Sequence, residues 1–112
     1  MMIEQTFQLK DRNSSTRIIT PIIQDENIHY MQMVCPVGTG LPLHFTNSTV
    51  YMTVNKGTLS LSLADGEFVE YASGTIVKIP YMTKMDARNG GNDLMELLVV
   101  KAPAPTADVV KA

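Results

Sequence analysis

From Thr58 to Ala64 the chain reads T-L-S-L-S-L-A, with Leu59, Leu61 and Leu63 on one side and Ser60, Ser62 and Ala64 on the other. A period of two is the mark of a half-buried strand. The same alternation runs through Ile28 to Cys35, where His29, Met31, Met33 and Cys35 oppose Tyr30, Gln32 and Val34. The run Val50 to Val54 is β-branched and aromatic. With the residues from Leu41 onward it predicts a central hairpin, two strands closing at Asn55-Lys56-Gly57. Further strands are expected at Arg17 to Thr20, ended by Pro21, and at Glu67 to Tyr71, returning from an Asp65-Gly66 turn. Others are expected at Thr75 to Ile79, bounded by Gly74 and Pro80, at Leu94 to Lys101, and as a short edge strand at Thr6 to Leu9. Prolines 21 and 42 cannot donate to a ladder and so mark sheet edges or strand starts. Asp25-Glu26-Asn27 and Asn89-Gly90-Gly91-Asn92 read as turns. No ten-residue helical pattern with caps occurs, and the paired valines of LMELLVVK favour a strand. Eight to ten short strands predict an all-β antiparallel sandwich or barrel spanning residues 1–103. The Ala/Pro-rich residues 104–112 are expected to form a loosely packed extension.

Composition narrows the function classes. At 112 residues, with 45% apolar and 18% charged positions, the chain is one ordinary globular domain. A net charge of −2, with acids and bases scattered, offers no basic stripe for nucleic acid and no polybasic segment for a membrane. Cys35 is the sole cysteine, so no internal disulfide forms. The stretch MMIEQTFQLKDR lacks the apolar core of a signal peptide, which predicts a cytoplasmic protein. There is no Gly-rich phosphate loop, Ser-His-Asp signature or Cys-x-x-Cys.

Two spaced patterns then stand out. Gly38, His44, Thr46, Val50 and Gly57 form the first, and Gly74, Pro80, Met82, Met85 and Asn89 the second. They resemble the two motifs of the single-domain cupins over about Thr20 to Pro103. The family's first motif runs G, five residues, H-x-H, three or four residues, E, six residues, G. Its second runs G, five residues, P-x-G, two residues, H, three residues, N. The resemblance implies an antiparallel double-stranded β-helix, a jelly roll or cupin barrel. It also implies a homodimer, formed through an edge strand near the N-terminus. Against the family's pattern, Thr46 stands for the second histidine, Val50 for the glutamate, Met82 for a glycine and Met85 for the last histidine. Of the four metal ligands of active cupins only His44 remains, so no metal or other cofactor is expected.

The residues in these positions suggest a pocket rather than a metal centre. Strand alternation puts His44, Thr46, Val50 and Met52 on one face, and Met85 joins them through the second motif. The expected function is binding of a small molecule in an apolar barrel pocket lined by these five. The alternative is a divergent cupin isomerase, lyase or oxygenase using His44 with a non-standard metal site that includes His29. His44 reads either as a hydrogen-bonded histidine at the barrel mouth or as an orienting group or base. The methionines, among them Met31, Met33, Met52, Met82, Met85 and Met95, suit copper(I) in principle, but methionine also fills irregular core space, and that role is the one expected of them. Tyr81 and Lys84 are read as solvated edge positions, Cys35 as a small buried hydrophobe, and Arg88 with Asp86 as a surface ion pair.

Overall fold

A computed structural model describes residues 3–112; Met1 and Met2, which open the expected N-terminal segment, lie outside the described residues. Ten strands and no helix are found among them: β1 (Ile18–Gln24), β2 (His29–Cys35), β3 (His44–Phe45), β4 (Val50–Lys56), β5 (Thr58–Leu63), β6 (Val69–Ala72), β7 (Ile76–Ile79), β8 (Lys84–Asn89), β9 (Met95–Lys101) and β10 (Val110–Lys111). They form two five-stranded sheets with orders β1-β2-β9-β4-β7 and β10-β3-β8-β5-β6. Every strand pairing is antiparallel. This is the all-β antiparallel architecture that the strand pattern predicts and the double-stranded β-helix that the family resemblance implies.

The inward positions of the first sheet lie in cross-strand rows. Lys101 pairs with both His29 and Val50, Val99 with Met31 and Met52, and Leu97 with Met33 and Val54. The opposing sheet supplies Leu59, Leu61, Met85 and Ala87, and these layers close into one buried apolar cluster.

The chain departs from the predicted elements at several points. The stretch from Leu41 to Gly57 is not a hairpin, because β3 and β4 lie in opposite sheets and pair with other strands. Gly57 turns the corner from β4 into β5 with φ +84°, and a Cβ there would sit 2.7 Å from the carbonyl oxygen of Leu94. Only glycine fits such a corner. Pro21 does not end β1; the strand passes it through a register shift before Ile23 and continues to Gln24. Its edge position in the sheet is what makes the missing donor tolerable.

Thr6 to Leu9 forms no strand. Instead the segment lies over the first sheet, where Lys10 exchanges two backbone hydrogen bonds with the Gln32 amide, at 2.8 and 3.0 Å. Gln32 in turn donates to Glu96 at 2.6 Å. Both residues point away from the core yet are buried beneath this strap. At the β5–β6 connection, Ala64 (φ 52°) and Asp65 (φ 61°) take the left-handed conformations of a type I′ turn. The turn thus falls one residue earlier than the Asp-Gly signal suggests. Strand β8 was not anticipated, because KMDARN offers only Met85 and Ala87 to the core. The 104–112 tail, expected to be loosely packed, returns to the barrel: Val110 pairs with Phe45 and Lys111 with His44.

Candidate functional site

At the end of the barrel marked by the His29–Lys101–Val50 row, the two sheets part to leave a cavity of about 200 Å3. Val50, Met52, Met31, Met33 and Val99 wall it from the first sheet, and Met85 and His44 from the second. Leu41 and Pro42 close one flank and Val109 of the tail another. Four of the five residues expected to line a pocket therefore meet: His44, Val50, Met52 and Met85. Thr46 does not join them. It is buried, but its hydroxyl donates to the Pro80 carbonyl at 2.6 Å and accepts from the Thr83 N–H at 2.9 Å. It fastens the β7–β8 loop.

His44 is half-buried, and its Nδ1 lies 2.6 Å from the carbonyl oxygen of Pro42. A carbonyl can only accept, so Nδ1 carries the proton and Nε2 is left as an acceptor. The partner shapes the imidazole for accepting a hydrogen bond, removing a proton or ligating a metal. His29 lies elsewhere, in an outer depression that shares Met31, Lys101 and Val109 with the cavity.

Lys101 was not anticipated as a site residue. It closes the inward alternation Met95, Leu97, Val99, Lys101, and its side chain lines both the cavity and the outer depression. Its Nζ donates to Asn47 Oδ1 at 2.8 Å, and burial pushes its ammonium below the ordinary lysine value. The signal available in the sequence was the one charge on the inward face of the strand MELLVVK, in register with the inward valine two residues before it.

The other candidates fall outside the cavity. Lys84 pairs with Asp65 at 2.8 Å, and Tyr81 is exposed. Asp86 and Arg88 pair at the surface, with the guanidinium over the Phe68 ring. Cys35 is fully buried, and burial raises its thiol pKa, the reverse of what a nucleophile requires. Met82 stands where the resemblance places a glycine and retains the positive φ, 57°, of that position.

A hard metal such as iron or zinc takes about three nitrogen or oxygen ligands from the protein. The cavity offers one imidazole nitrogen with thioethers and hydrocarbon around it. Among the described residues no three His, Cys, Asp or Glu side chains gather as a metal site. The donor set does not fit the metal of active cupins. Thioethers with imidazole would suit copper(I), but the Lys101 ammonium on the same cavity opposes any cation. No helix among the described residues is long and apolar enough to cross a membrane.

No family model matches the chain. An uncharacterized protein, MJ0764 of Methanocaldococcus jannaschii, is 36% identical over 104 residues, which is 93% of this chain and 89% of that protein. Its crystal structure, that of an RmlC-like cupin family protein with a double-stranded β-helix fold, matches with a TM-score of 0.86, covering 94% of this chain and 95% of that one. A protein with a double-stranded β-helix domain from Klebsiella pneumoniae matches with a TM-score of 0.77 at 15% identity, covering 89% of each chain. The polyketide cyclase RemF of Streptomyces resistomycificus matches with a TM-score of 0.75 at 17% identity, covering 100% of this chain and 86% of that one. At these identities the last two are likenesses of fold alone.

Proposed function

The chain belongs to the RmlC-like cupin family, and we propose that it is a small-molecule-binding member that works without the family's usual metal. One observation carries the reading: an apolar cavity in which four methionines, three valines, an isoleucine and a leucine surround a single oriented imidazole. Such a lining, apolar with few polar groups, is the usual form of a ligand site. Methionine adapts its shape to an occupant at little cost. The volume of about 200 Å3 exceeds the roughly 150 Å3 that holds benzene in an engineered cavity. It falls short of the roughly 300 Å3 at which drug-sized pockets begin. The ligand is therefore a small molecule of one ring or a short chain.

Toluene serves as a first probe. Binding to the folded state alone raises stability by mass action, about 2.7 kcal/mol at a hundredfold excess over Kd. Val99→Phe, which fills the cavity from β9, should abolish that gain while leaving a cooperative unfolding transition. A toluene-induced rise in melting temperature that persists in Val99→Phe would overturn the assignment.

The orientation of His44 favours a second reading, a divergent cupin enzyme in which Nε2 acts as general base on the bound molecule. There His44→Ala would abolish turnover and leave toluene binding intact; turnover that survives the change would exclude it.

A further inference from the structure

The cavity carries one feature that a purely apolar ligand would not use. Among its lining side chains the polar ones are His44 and Lys101, contributed by opposite sheets, and none is acidic. Lys101 is held in place. Asn47 donates its own amide to the Ala107 carbonyl at 2.7 Å, which turns Oδ1 toward the Lys101 ammonium. An ammonium has three donors. Asn47 takes one, and no other protein acceptor takes the remaining two among the described residues. No carboxylate forms an ion pair with Lys101 either; Asp108, the acidic residue on the outer depression, stands beyond that distance. A partly buried cation without a counter-ion is costly, and a charge-assisted hydrogen bond to an anion offsets the cost.

We propose that the cavity takes a small apolar monocarboxylate, with the hydrocarbon body among the methionines and the carboxylate on Lys101 at the cavity mouth. This rests on the small-molecule-binding reading above and names the ligand class for the same site. The shape supports it. Lys101 lines both the apolar cavity and the more open outer depression, so a carboxylate on its ammonium keeps one side toward water while the body lies among apolar side chains. Given the cavity volume, the body holds about six to nine heavy atoms by comparison with the benzene-sized cavity. The same ammonium explains why the site selects an anion over a cation, despite its thioethers.

Benzoate, benzamide and toluene separate the possibilities in calorimetric titrations of the full chain at neutral pH. Benzoate should bind at least about tenfold tighter than benzamide, its neutral counterpart. Lys101→Met, which keeps the length and removes the charge, should cancel that advantage, so that benzoate and benzamide bind about equally. Lys101→Arg should retain it. Toluene binding without a preference for benzoate over benzamide overturns the carboxylate proposal and leaves the cavity reading standing. Absence of binding by all three overturns both. The benzoate–benzamide comparison on the unaltered protein decides the matter even where a Lys101 variant folds poorly.

Discussion

Thr46→Val separates holding the barrel together from touching the ligand. The threonine hydroxyl bridges two backbone groups of the β7–β8 loop, the Pro80 carbonyl and the Thr83 N–H, from a position only 1% exposed. Valine has nearly the same shape and makes neither bond. Each bond contributes about 1 kcal/mol, and the cost of leaving a partner unpaired stays near that figure where water reaches it. Tyr81 and Met82 at the tip of the loop are exposed, so water does reach it. Two lost bonds cost about 2 kcal/mol, and burying one extra methyl group returns up to about 0.8 kcal/mol. The net loss is about 1–2 kcal/mol, a fall in Tm of roughly 4–8 °C for a domain of this size. Urea titration should show a lower midpoint at an unchanged slope, and Thr46→Ser, which keeps the hydroxyl, should retain the loop bonds. Toluene affinity should not change in the valine variant, because Thr46 lies off the cavity. Unaltered stability would refute the bridging role, and a tenfold loss of toluene affinity would refute the placement.

Gly57→Ala should destabilise by at least about 2 kcal/mol, since it adds left-handed strain to a contact at 2.7 Å with backbone that cannot yield; a midpoint within error of wild type would contradict the corner geometry. Burial holds the Lys101 ammonium below its ordinary value of 10.5, so just below that pH the folded chain binds fewer protons than the unfolded one, and stability from this group rises with pH through the window. Lys101→Met should therefore be more stable than wild type at neutral pH, with the difference shrinking toward pH 10.5; a constant difference in urea midpoints would contradict this. The homodimer implied by the family resemblance is proposed through β1, an edge strand whose Ile18 and Ile19 are exposed. Light scattering should give twice the chain mass, and Ile19→Lys should return it to that of one chain.

Most of the fold was legible because alternation survives wherever a strand buries one face. The Leu59-Leu61 and Met31-Met33-Cys35 series point inward as their period demands. Strand β8 was hidden because its inward pair is Met85 and Ala87, and alanine carries almost no hydrophobic signal. The β3–β4 pair was misread for a different reason. Local pattern reports that two strands exist but not which sheet each joins, and long-range pairing with β8 and β9 decides that. The N-terminal strap escaped notice because Gln32 and Lys10 meet through side-chain and backbone atoms that no periodicity encodes. In the site, His44, Val50, Met52 and Met85 were legible by register and family spacing. Met31, Met33 and Lys101 reach the cavity only because β2, β9 and β4 are neighbours in the sheet.

On the proposed function, the space beside His44 receives a small molecule. Methyl-13C labelling of methionine reads it directly, because Met31, Met33, Met52 and Met85 line the cavity while Met82 is exposed on the β7–β8 loop and Met95 is buried off the cavity, at the opposite end of β9 from Lys101. Titration with toluene should move the four cavity resonances together and saturably, with Met82 and Met95 nearly unchanged. Resonances that stay fixed up to the solubility limit of toluene, or a response led by Met82, would contradict the account.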